Sequence, residues 1–208
     1  MKVAIIGGTG KMGIALGVEL STINDVIIGS RDAARGRAAA ARIKGAEGMD
    51  YHGASNAADI VIFAIPYRAI GSVAELADDV SGKLLISLIN PMEAEGGLLR
   101  YSAQGTSAAE ELAGTLRGGR VATAFNNVPA GFFGKDATPQ VDVLVAADTK
   151  ETYEEAAALV RQVRGMRPLY AGPLFQARIV ESITPLVLNL AKLNGTGSLT
   201  TRFVTKRG

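Results

Sequence analysis

Val3-Ala4-Ile5-Ile6-Gly7-Gly8-Thr9-Gly10-Lys11-Met12-Gly13 is the stretch that decides the fold. Its first four residues are apolar with no polar alternation, which suits a strand buried on both faces. From Gly8 to Gly13 the chain fits G-x-G-x-x-G, and a helical apolar pattern runs on behind it over 12–20. Strand, glycine turn and helix in this order form the first turn of a dinucleotide-binding unit. Gly8 is expected to make the tight turn. Gly10 lets a pyrophosphate approach the main chain, and Gly13 lets helix and strand pack closely. Thr9, Lys11 and Met12 lie among them, where the free N–H groups of a helix N-terminus favour phosphate.

Outward from this turn the alternation repeats. Apolar runs at 26–28, 60–65, 84–89, 121–125 and 141–145 predict strands. Helical patterns lead up to residue 43 and cover 69–80, 107–116, 151–163 and 178–193. Ser107 and Glu110 have the spacing of a capping box, and Pro185 is expected to kink the last helix. The implied class is α/β: a Rossmann-type, doubly wound, mainly parallel sheet with a small C-terminal helical appendage. Residues 1–148 are expected to form the nucleotide-binding domain. Residues 149–208 would pack on it and serve dimer and second-cofactor contacts. The glycine-rich, polar stretch 91–106 reads as a long functional loop.

Composition narrows the chemistry. The 208 residues carry a net charge of +2, with basic residues scattered rather than gathered in a stripe, so no nucleic-acid partner is expected. With no cysteine and a single histidine, thiolate catalysis and a metal site of several imidazoles are excluded. His52 lies in a polar stretch and is expected at the surface. The apolar start of the chain is too short for a signal segment, and no run approaches the roughly 18 apolar residues of a membrane span. A soluble, cytoplasmic protein is the expectation.

The second strand selects the nucleotide. Ser30 falls 20 positions after Gly10, where NAD enzymes carry an acid that binds the ribose 2′-hydroxyl. Ser30-Arg31 would instead bind a 2′-phosphate, with Arg35 one helical turn further on. NADP is therefore the expected cofactor. Later strand ends supply the rest of a site. Ala64-Ile65-Pro66 offers an apolar wall for the nicotinamide end, and Asn126-Asn127 offers amides that suit a carboxamide or heterocycle edge. No acid–base pair stands at these ends. Hydride transfer to a delocalised ring needs one less than ketone reduction does.

The chain resembles the coenzyme F-420-dependent NADP oxidoreductases over nearly its whole length. Gly7-Gly8-Thr9-Gly10 with Gly13, Gly29-Ser30-Arg31 and Ala64-Ile65-Pro66 carry the likeness. So do Leu169-Tyr170-Ala171-Gly172-Pro173-Leu174, the block from Arg178 to Leu186, and Asn194-Gly195-Thr196-Gly197. The resemblance implies a homodimer that moves a hydride between NADP and a 5-deazaflavin, coenzyme F-420. It implies that Thr9, Ser30 and Arg31 hold NADP phosphates, and that Asn126, Val128, Thr196 and Gly197 flank the deazaflavin, with Asn126 positioning the ring. The family's well-known members carry histidine where this chain has Asn126. The same residues leave room for a flavin or pterin acceptor, or for an NADP-sensing protein without chemistry.

Overall fold

The computed structural model describes residues 1–134 and 141–205. The chain begins with β1 (Lys2–Ile6), α1 (Lys11–Leu20), β2 (Asp25–Ser30), α2 (Ala33–Ala40), β3 (Glu47–Asp50), α3 (Tyr51–Ala57) and β4 (Ile60–Phe63). After a 3-10 helix at Tyr67–Leu76 come β5 (Leu84–Ser87), β6 (Met92–Glu95), β7 (Leu98–Tyr101), α4 (Ala108–Thr115) and β8 (Arg120–Thr123). The chain closes with β9 (Val141–Ala147), α5 (Lys150–Gln162), β10 (Met166–Gly172) and α6 (Ala177–Leu193).

Eight strands form one sheet in the order β10-β9-β8-β5-β4-β1-β2-β3. Every pairing is parallel except β8 with β9. The sequence of connections reverses direction at β1, between β2 on one side and β4 on the other, and in such sheets ligands bind at the carboxyl ends beside this point. Both faces are covered. Val3 and Ile5 join one buried cluster with Leu16, Leu20 and Ile62, while Ala4 and Ile6 join a second with Phe63, Val73 and Leu112. The unbroken apolar run of β1 follows from that double burial.

Several elements differ from the sequence expectation. The stretch 91–106 is not a plain loop, because β6 and β7 pair there as an antiparallel hairpin. The helix expected at 69–80 is the 3-10 helix, whose N–H of Ala69 bonds Pro66 O and N–H of Ala77 bonds Ala74 O. Gly71 in its middle weakens the α alternative. Edge strands β3 and β10 carry too little apolar signal to stand out. Glu47-Gly48-Met49-Asp50 is half polar, and β10 contains Pro168, which an edge tolerates. The main sheet thus continues past residue 148 through α5 and β10, and the part outside it is α6 with the tail. Pro185 lies inside α6, which runs on to Leu193.

The helical appendage is seated by polar pegs. Glu181 is fully buried and accepts from the N–H groups of Ala108 and Ala109 at 2.9 and 3.0 Å, and from the Tyr101 hydroxyl at 3.0 Å. The expected capping box is present: Glu110 N–H donates to Ser107 Oγ, and Ser107 N–H to Glu110 Oε2. Together they satisfy the orphan donors at the start of α4. Farther along α6, Asn189 pairs with both main-chain groups of Leu99, at 2.8 and 2.7 Å. Asn127 and Asp142 tie down the tail. Asn127 donates to Thr201 Oγ1 at 2.7 Å, and Arg167 grips Asp142 at 2.6 and 2.9 Å beside the Phe203 N–H. Burial works to raise the Asp142 pKa, but Arg167 and that N–H outweigh it and hold the carboxyl below its ordinary value.

Burial pushes the Glu181 carboxyl up from 4.5 to about 7, while its three donors pull the other way. The folded chain therefore holds this proton more tightly than the unfolded one. Its contribution to stability is full below 4.5 and is lost as pH rises through about 7. Urea unfolding is expected to show the wild type losing stability relative to Glu181→Gln across that window, and a pH-independent difference would contradict the assignment. Glu181→Ala, which leaves the N–H groups buried and unpaired, is expected to cost about 3 kcal/mol.

Candidate active site

The glycine turn lies at the carboxyl end of β1, and each glycine is required for a different reason. Gly7 takes the left-handed backbone, with φ of +77°, so the tight turn belongs to it and not to Gly8. Gly8 is excluded from bearing a side chain by proximity, since a Cβ would lie 2.8 Å from Ile5 O. A Cβ on Gly13 would lie 2.4 Å from Gly8 Cα, so the helix crosses the turn at van der Waals contact. Gly10 has nothing within 4 Å of that position. It caps α1 without a side-chain hydrogen bond, and no acidic residue stands in the first turn. An exposed, uncapped helix N-terminus with open space at Gly10 fits a pyrophosphate.

Beside it, β2 ends at Ser30, and Arg31 and Arg35 are exposed. Asp32 makes no ion pair with either of them among the described residues. Its carboxylate accepts from Ala34 N–H at 2.8 Å as the cap of α2. Among the described residues neither arginine forms an ion pair. Two cations and a hydroxyl next to the uncapped helix suit a nucleotide bearing an extra phosphate. His52 lies on the half-exposed surface that was expected, with Nδ1 2.6 Å from Asp79; that hydrogen bond raises its pKa.

A cleft of about 400 Å³ opens from the glycine turn across the ends of β4, β5 and β8 to α6. It brings together Met12, Ala64, Ile65, Asn126 and Val128 from the sequence expectation. Pro66 is exposed next to it as the cap of the 3-10 helix. Thr196 and Gly197 are exposed and outside the lining. Their neighbour Ser198 reaches to 3.8 Å from where a Cβ on Gly131 would stand, at the rim. The sequence reading missed Leu88, Met92, Phe125, Thr184, Val187 and Leu188 as lining residues. Met92 was hidden in the unrecognised hairpin. The α6 residues sit in a helical stripe that reads equally as core.

No titratable side chain lines the cleft among the described residues. The perturbed phenols are not among its lining residues, although Tyr67 follows Pro66 and Tyr101 pairs with Met92 across the hairpin. Burial, helped by a hydrogen bond to Glu111, pushes Tyr67 up to about 12, and burial next to Glu181 raises Tyr101 further. Among the described residues no cluster of His, Cys, Asp or Glu could hold a metal. The cleft is thus an apolar, neutral slot, suited to stacking planar rings and unsuited to general acid catalysis.

Residues 2–91 match the family described as NADP oxidoreductase coenzyme F420-dependent. The F420-dependent NADP reductase of Methanothermobacter thermautotrophicus is 39% identical over 206 residues, covering 91% of this chain and 89% of the relative. The chain belongs to the F420-dependent NADP reductase family. The Methanothermobacter marburgensis reductase is 36% identical, over 91% of this chain and 92% of its own length. Among solved structures, an Arthrobacter sp. FB24 protein provisionally assigned to the same reductases superposes with a TM-score of 0.84 at 22% identity, covering 99% of this chain and 100% of that one. A reductive aminase from Aspergillus terreus gives 0.64 at 19%, covering 93% of this chain and 62% of that one. At such identities these structures speak for the fold alone.

The surroundings of Gly10 and Gly13 differ, so alanine at the two positions is expected to separate binding from folding. Gly10→Ala is expected to leave the melting temperature unchanged and to weaken NADPH at least about tenfold, as the added methyl intrudes on the phosphate. Gly13→Ala is expected to destabilise the fold by about 1–3 kcal/mol through overpacking. Equal effects of the two on melting temperature would contradict the assignment.

Proposed function

We propose that the chain transfers a hydride between NADP(H) and the 5-deazaflavin of coenzyme F-420. The observation that carries this reading is the neutral, apolar cleft next to an uncapped helix N-terminus and two arginines that form no ion pair among the described residues, in a chain of this family. When bound, the nucleotide supplies or takes the hydride at nicotinamide C4, and the deazaflavin does so at C5. The protein's share is binding, orientation and exclusion of water. The 8–13 turn, Ser30, Arg31 and Arg35 hold the NADP phosphates. Met12, Ala64, Ile65 and Pro66 border the nicotinamide. Asn126 and Val128 border the acceptor end, with Thr196 and Gly197 outside the cleft lining and near its rim, so residues 1–148 carry the nucleotide and 149–208 complete the second site.

Assembly as a homodimer belongs to the same proposal. Phe175, Ile179, Leu186, Leu190 and Leu193 expose a row of large apolar side chains on and just before α6, and an isologous contact would cover it. A cytoplasmic location fits partners that are both small redox molecules. Light scattering is expected to give twice the 21.6 kDa chain mass. Leu186→Asp is expected to give the monomer; a monomeric wild type would overturn the dimer.

Absorbance of oxidised F-420 is expected to bleach with NADPH, faster than FMN or FAD is reduced and faster than with NADH. Faster turnover of a flavin would move the acceptor assignment. Tight NADPH binding with no turnover would favour sensing. Arg31→Ala is expected to reduce the preference for NADPH over NADH by about tenfold or more, the value of a charge-assisted hydrogen bond. An unchanged preference would remove Arg31 from the phosphate site.

A further inference from the structure

Asn126 is buried, and both of its amide hydrogens are already used. Nδ2 donates to Ile89 O at 3.0 Å and to Asn90 Oδ1 at 3.2 Å, while Oδ1 accepts from Thr123 Oγ1 at 2.6 Å. Its main-chain carbonyl is held as well. The Thr184 hydroxyl donates to it at 2.6 Å and Asn90 Nδ2 at 3.2 Å. These partners come from three places: the end of β5, β8, and α6. Immediately before the knot, Phe125 is fully buried with φ of +63°, a conformation rare for residues other than glycine. Such a backbone persists only where its surroundings over-determine it. Phe125, Asn126, Asn127 and Val128 all line the cleft.

We propose that Asn126 serves the acceptor as part of a fixed backbone floor rather than as a hydrogen-bonding amide, and that Asn90 and Thr184 are positioning residues which hold the 125–128 backbone beneath the acceptor ring. This rests on the reading of the cleft as the deazaflavin site. Thr184 is the member contributed by α6, whose Val187 and Leu188 form the facing wall. Its hydrogen bond therefore sets the distance between floor and wall. The nucleotide side, at the ends of β1 and β2, lies outside the knot.

Thr184→Val keeps the side-chain shape and removes the donor. It is expected to raise the KM for oxidised F-420 about tenfold, as the loss of a bond to a buried carbonyl predicts. NADPH affinity is expected to stay within about twofold, and Thr184→Ser to restore the KM. Thr123→Val attacks the same knot from the sheet; its effect is expected to combine with Thr184→Val less than additively. An unchanged KM in both valine variants overturns the positioning role. So does equal weakening of NADPH, which marks general loosening, or failure of serine to rescue. A wild type that reduces no deazaflavin defeats the functional reading itself, and the proposal falls with it. An active wild type with indifferent variants defeats only the positioning.

Discussion

A carboxyl group with no solvent exposure, Glu181, holds α6 against the start of α4, and the wall that α6 lends to the cleft depends on that contact. Two main-chain N–H groups at a helix N-terminus have no helical acceptor of their own, and burying them unpaired is costly. The carboxyl resolves that cost and fixes the register of α6. Thr184 then falls beside the Asn126 carbonyl, and Asn189 beside Leu99. One helix is thereby bonded to three separate segments: α4, the end of β8 and the hairpin.

The glycine-turn half of the site, proposed for the nucleotide, follows from a steric constraint instead. Gly13 against Gly8 lets α1 approach β1 so closely that its N-terminus points over the turn. Gly7 bends the chain there, under Ala64 and Ile65, which stand within 3 Å of any Cβ it could carry. The two halves meet at Met12 and Ile65. The proposed phosphate site is exposed and cationic, whereas the cleft is lined by apolar and uncharged polar side chains. That division matches a reaction in which one charged handle is held and two flat rings are stacked.

Much of this was legible in the residues. Unbroken apolar strands and the glycine spacing are local signals, and they gave the central sheet and the tight turn after β1. Ser30-Arg31 pointed to the extra phosphate because the missing acid is itself local information. The edge strands and the hairpin escaped, since half-polar or proline-bearing strands show no clear period. Asn126 stood out as a polar residue at a strand end, but what its amide does was not readable. Its partners lie 37, 36 and 58 residues away, and only the folded chain shows its hydrogens to be engaged. The same holds for Glu181, whose acceptor role depends on donors 73 and 72 positions distant.

On this reading the hydride passes directly between the two rings, in a cleft whose described lining carries no titratable side chain. The most direct measurement follows deuterium from nicotinamide C4 of NADPH, using each C4 epimer in turn, to the deazaflavin in ordinary water. One epimer is expected to place its label at C5 of the reduced deazaflavin, and the other to retain its label on NADP. Reduced deazaflavin free of label from both epimers would contradict the account.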